Sequence, residues 1–93
     1  MNYLVLWTAN AENDLADVWI HSANRDRLAE LSNQLDEILS LNAETHGTLE
    51  FDTVYTIELE ILAVEYEVIA EDRHVNVLAV WDTVKGRPDP KGN

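Results

Sequence analysis

Tyr3-Leu4-Val5-Leu6-Trp7 runs directly into Thr8-Ala9-Asn10-Ala11-Glu12-Asn13-Asp14-Leu15-Ala16-Asp17-Val18-Trp19. The first five residues are an apolar run rich in β-formers. After Thr8 the period changes, and Ala11, Leu15, Val18 and Trp19 fall on one helical stripe. A threonine at that junction can accept a hydrogen bond from an orphan backbone N–H of the first helical turn. Glu12 and Asp14 place negative charge near the positive end of the helix dipole. The segment therefore reads as strand, cap and amphipathic helix.

Working outward, His21-Ser22-Ala23-Asn24 reads as a tight break. Leu28, Leu31, Leu35, Ile38 and Leu39 then mark a second, longer helix with an apolar stripe. That helix is expected to end between Asn42 and Thr45, just before Gly47, the one glycine ahead of residue 86. Two amphipathic helices with a short joint imply an antiparallel hairpin whose stripes share one surface. From Phe51 the period becomes two. Tyr55, Ile57, Leu59 and Ile61 alternate with Thr56, Glu58 and Glu60; Leu62, Val64, Tyr66 and Val68 alternate with Ala63, Glu65 and Glu67. The turn between these strands carries no Gly, Pro or Asn, and strand length places it near Ile61-Leu62-Ala63. Glu71-Asp72-Arg73-His74 is a polar turn, and Val75 to Trp81 a strand apolar on nearly both faces. Trp7, Trp19 and Trp81 are expected between sheet and helices. The fold class is α+β, a helical hairpin on one face of a four-stranded, mainly antiparallel sheet in the order β-α-α-β-β-β. Residues 1–84 are expected to form one domain, and residues 85–93 a flexible tail.

Composition narrows the chemistry. Ninety-three residues suit a single domain with a modest core. There is no cysteine, which excludes disulfides, thiolate metal sites and thiol catalysis and fits a reducing compartment. The opening apolar run is too short for a secretory signal, and carboxylates interrupt every apolar stretch, so a cytoplasmic protein without membrane association is expected. Eighteen acidic residues face six Lys and Arg, for a formal charge of −12. Residues 1–81 hold only Arg25, Arg27 and Arg73 as strong cations; Lys85, Arg87 and Lys91 follow. Nucleic-acid affinity comes from Lys and Arg releasing counterions, so direct nucleic-acid binding is disfavoured. High net charge also keeps molecules apart and soluble.

The opening strand into Trp7–Leu15, the long second helix ending before Gly47, the segment Leu62–Val68 and the segment Asp72–Trp81 together resemble the RelE/ParE superfamily. These are plasmid-stabilisation toxins of type II toxin–antitoxin pairs, and the resemblance covers residues 3–81. It implies one of two activities. RelE-like members cut messenger RNA on the ribosome, using clustered Lys and Arg to hold phosphates and a Tyr, His or Glu for proton transfer. ParE-like members poison DNA gyrase. Both are neutralised by a cognate antitoxin.

Nuclease members carry arginines on the middle strands and just after the last strand. Here those regions read Glu58, Glu60, Glu65 and Glu67, then Asp82-Thr83. Carboxylates repel a scissile phosphate that preorganised cations would stabilise. The first expectation is therefore a ParE-like toxin, active or degenerate, that binds a protein such as DNA gyrase. The alternatives are a RelE-type endoribonuclease drawing on Tyr55, Tyr66, His74 or a glutamate, and a non-toxic acidic binding module. Arg73, His74, Lys85 and Arg87 are the target-contact candidates. Glu58, Glu60, Glu65 and Glu67 are expected to share one strand face, available to a basic antitoxin segment, to a hard cation, or to water alone. His21, His46 and His74 lack the spacing of a helical zinc site, Ser22, Ser32 and Ser40 lack a nucleophile elbow, and no glycine loop cradles phosphate. No metal and no cofactor are expected.

Overall fold

The computed structural model describes residues 2–87. Strand β1 (Leu4–Trp7) leads into helices α1 (Ala9–His21) and α2 (Arg25–His46). Strands β2 (Thr48–Phe51), β3 (Val54–Leu59), β4 (Leu62–Ile69) and β5 (His74–Asp82) follow. The sheet order is β1-β5-β4-β3-β2. β1 runs parallel to β5, and the other pairings are antiparallel. Both helices lie on one face. The α+β class, the hairpin and the element order are as expected from the residues.

The sheet has five strands, not four. The extra one, β2, pairs Thr48 with Thr56 and Leu49 with Tyr55. All four of its residues are exposed, so it carries no burial alternation to read. It is joined to β3 at Asp52, which adopts a left-handed φ of 51°, a conformation that short polar side chains tolerate.

Local chemistry accounts for the helices. The Thr8 hydroxyl accepts from the Ala11 N–H at 3.2 Å, the expected cap. Asn24 caps α2 in the same way, accepting from Arg27 N–H at 3.1 Å. Arg25 reaches back to donate to the Trp19 and Ile20 carbonyls, satisfying the orphan end of α1. Leu28, Leu31, Leu35, Leu39 and Ala43 form the buried stripe of α2. They pack on Leu62, Val64, Tyr66 and Val68 of β4 and on Val75, Val77 and Val80 of β5. α2 bends at Asn42, and the Tyr66 hydroxyl donates to the Ala43 carbonyl beyond the bend at 2.6 Å. Gly47 is required there, because a β-carbon would collide with that hydroxyl.

Three expectations are corrected. The β3–β4 turn falls at Glu60-Ile61, earlier than strand length implied, with Glu60 at a left-handed φ of 55°. Tertiary contacts hold it: Arg27 pairs with the Glu60 carboxylate, and Thr83 bonds to the Glu60 and Ile61 carbonyls. Trp81 faces away from the helices. A bulge at Leu78 lets Tyr66 pair with Val77 and Glu65 with Ala79, so Val80 takes the inward position and Trp81 turns outward. Trp19 is 38% exposed rather than buried. Trp7 does pack against the core.

Candidate functional site

β1 stops at Trp7, opposite Val77, and among the described residues the second half of β5 has no strand partner on that side. Side chains of α1 take over the free edge. The Thr8 hydroxyl and Asn10 amide donate to the Val77 and Leu78 carbonyls, each at 2.8 Å, and Asp14 accepts from Val80 N–H at 3.1 Å. A helix cannot follow a strand edge closely, so an open groove of about 670 Å³ remains between α1 and β5.

Asp14, Asp17 and His21 line it from α1, Glu65 from β4, and Trp81 and Asp82 from β5. Lys85, Gly86 and Arg87 close its far end. Among the described residues, four carboxylates against two strong cations leave the groove net negative. The segment 85–87, the start of the expected tail, turns back onto β5. Gly86 adopts φ +83°, which only glycine takes without strain, and donates its N–H to the Asp82 carbonyl at 2.8 Å. Arg87 then lies 5.0 Å above the Trp81 ring and donates to Glu65 at 2.5 Å. Residues 88–93, the rest of the expected tail, lie outside the described residues.

The target-contact candidates are divided. Lys85 and Arg87 share the groove, whereas Arg73 and His74 sit at the opposite end of β5, roughly 25 Å away at strand rise. Arg73 closes the turn before β5 in the left-handed region, φ 54°, and has no carboxylate partner among the described residues. The acidic set is divided too. Pairing of Glu58 with Ala63, Glu65 with Thr56 and Glu67 with Val54 places those three carboxylates on the helix-free face. Glu60 lies in the turn, where the Arg27 guanidinium holds its carboxyl below the usual range. Among the described residues no group of three or more His, Asp or Glu is arranged to hold a metal ion.

Of the proton-transfer candidates, Tyr55, Tyr66 and His74 stay out of the groove, whereas one glutamate, Glu65, lines it. Tyr66 is buried on the helix side, where desolvation and then the neighbouring Tyr55 push its hydroxyl up to about 12. Tyr55 stacks on it, ring centroids 5.6 Å apart. The imidazole that does reach the groove is His21, which the sequence placed at the break after the first helix and set aside as a zinc ligand. Its Nδ1 lies 2.8 Å from the Asp17 carbonyl.

No protein-family model and no curated protein sequence matches the chain. Solved structures do. A chain of the toxin–antitoxin complex RelBE2 from Mycobacterium tuberculosis superposes with a TM-score of 0.73 at 20% identity, covering 88% of this chain and 99% of that one. The isolated RelE toxin of E. coli gives 0.62 at 20% identity, covering 96% and 88%. The chromosomal ParDE system of P. aeruginosa gives 0.63 at 17%, covering 86% and 95%. The chain has the RelE/ParE toxin fold. At these identities the likeness is one of architecture, and both branches of that fold are represented.

Proposed function

We propose that the chain is the toxin-fold component of a type II toxin–antitoxin pair, neutralised by a cognate antitoxin and acting by binding a protein. DNA gyrase is the target that the ParE branch implies. Solved structures sharing the fold include toxin–antitoxin complexes of both branches, which supports the antitoxin partner. The groove's charge carries the choice of protein target over RNA. Asp14, Asp17, Glu65 and Asp82 surround the two cations, and one of those, Arg87, already spends its guanidinium on Glu65 and Trp81. Strand scission by 2′-hydroxyl attack needs positive charge around the scissile phosphate. A groove with surplus carboxylates supplies the opposite field, and a phosphate backbone pays for entry with no counterion release.

Inducible expression tests the reading. The chain alone should arrest growth with messenger RNA intact and DNA supercoiling inhibited, and co-expression of the genomic neighbour should restore viability. Normal growth would leave the non-toxic binding module.

One observation favours a second reading. His21, Lys85 and Arg87 converge on the same groove, an imidazole and two cations such as an endoribonuclease of RelE type would use. Site-specific cuts in messenger RNA on translating ribosomes would establish it and displace the first.

A further inference from the structure

The sheet presents one face to the helices and leaves the other bare. Among the described residues that bare face carries Glu58, Glu65 and Glu67, and Arg87 is the guanidinium seated on it. How that guanidinium sits indicates what the face accepts. Trp81 is only 9% exposed although it points away from the core, and the Glu65 side chain is only 13% exposed. Together they form a flat aromatic floor with a carboxylate at its edge. A planar, weakly hydrated cation with donors in its plane satisfies both at once; an ammonium, a compact and strongly hydrated point charge, does not.

We propose that the Trp81–Glu65 cradle is an arginine-recognition site for a basic peptide segment of a protein partner. Arg87 holds the place in the free chain. The Arg87 side chain remains 47% exposed, so an incoming guanidinium reaches the cradle without opening the core. The partner's chemistry follows from the field: a body this rich in carboxylates attracts a segment of opposite sign and repels a polyanion. The inference rests on the antitoxin-partner reading for who supplies the segment, and on geometry alone for what the segment must contain.

Octa-arginine and octa-lysine peptides, titrated against the full chain at low salt and followed by tryptophan fluorescence, test it. Octa-arginine should bind at least ~5-fold more tightly than octa-lysine. Arg87→Ala, which empties the cradle, should tighten octa-arginine ~3-fold or more, and Glu65→Gln should weaken it ~10-fold. Glu71→Gln removes the same charge from the turn before β5 and should change affinity less than ~2-fold. Thermal melts of each variant verify folding. Equal binding of the two peptides, equal weakening by the two glutamine variants, or no binding of either peptide would overturn the proposal. Its failure is distinguishable from that of the partner reading: a chain rescued by its genomic neighbour yet indifferent to arginine loses the cradle, whereas one that prefers arginine but gains no rescue loses the antitoxin.

Discussion

The two faces of the sheet are built on opposite terms. Leu28, Leu31, Leu35 and Leu39 close the inner face against β4 and β5, all fully buried, and the Tyr66 hydroxyl there is satisfied by a backbone carbonyl. The outer face, one residue out of step on the same strands, carries Glu58, Glu65 and Glu67, with Leu4 and Leu6 exposed on β1. The inner face spends its side chains on cohesion. On the outer face no two of these glutamates stand directly opposite one another, and the half-exposed Arg87–Glu65 pair there adds little stability. Stability and recognition are therefore separated by the pleat, and substitutions on the two sides should have unlike consequences.

The largest contrast should come from paired truncations. Leu35→Ala removes a buried side chain from the middle of α2 and should cost about 2–5 kcal/mol in urea unfolding. Glu67→Gln on the opposite face should stay within about 0.5 kcal/mol. Near-equal losses would break the contrast.

Tyr66→Phe sharpens it next. The variant strips the Ala43 carbonyl, one of the orphan acceptors at the end of α2, of its donor and should cost about 1–3 kcal/mol. It should also change the alkaline limb of the stability profile. Burial raises the Tyr66 hydroxyl from 10.0 to about 12 in the folded chain. The unfolded chain therefore loses its proton first as pH rises. The contribution is complete below about pH 10 and is lost as pH climbs toward 12. Melting temperatures of the phenylalanine variant should fall less steeply across that window than those of the parent chain.

Thr8→Ala removes the α1 cap and the hydroxyl's bond to the Val77 carbonyl together, leaving the backbone N–H bond to that carbonyl, and should cost about 1–2 kcal/mol in thermal unfolding. The smallest effect concerns the Arg27–Glu60 pair on the rim. Arg27 holds the Glu60 carboxyl below its usual 4.5, so this contribution is present above that pH and disappears as pH falls through the lower folded value. Glu60→Gln should flatten a slight acid-side slope in melting temperature. Added salt should erase the difference, as expected of a solvated pair.

Much of the fold was legible because it is written in local periods. Strand, Thr8 cap and helix follow one another within the first nineteen residues, and the leucines of α2 keep their spacing from Leu28 to Leu39. β2 escaped because Thr48-Leu49-Glu50-Phe51 is exposed throughout; its one local signal was Asp52, a residue suited to a left-handed turn. The Glu60 turn escaped for another reason. Arg27 and Thr83, distant in sequence, hold a glutamate where a turn glycine would ordinarily be sought. Trp81 was misplaced because the bulge at Leu78 reverses the alternation of β5, and a bulge leaves no mark in a one-dimensional pattern.

The site was less legible than the fold. Lys85, Arg87 and Glu65 were singled out for their charge, but the meeting of Arg87 with Glu65 over Trp81 depends on the chain folding back at Gly86. Asp14 read as a helix-dipole charge. Its second task, closing the β5 edge, joins residues 66 apart in the chain. His21 reaches the groove only because α1 lies along that edge.

Incubating the purified chain with translating ribosomes and full-length messenger RNA, and mapping 5′ ends, tests the central claim most directly. The acidic groove predicts messages as intact as in the absence of the protein. Position-specific cuts, abolished by Lys85→Ala or His21→Ala, would contradict it and show that two cations and an imidazole suffice despite the surrounding carboxylates.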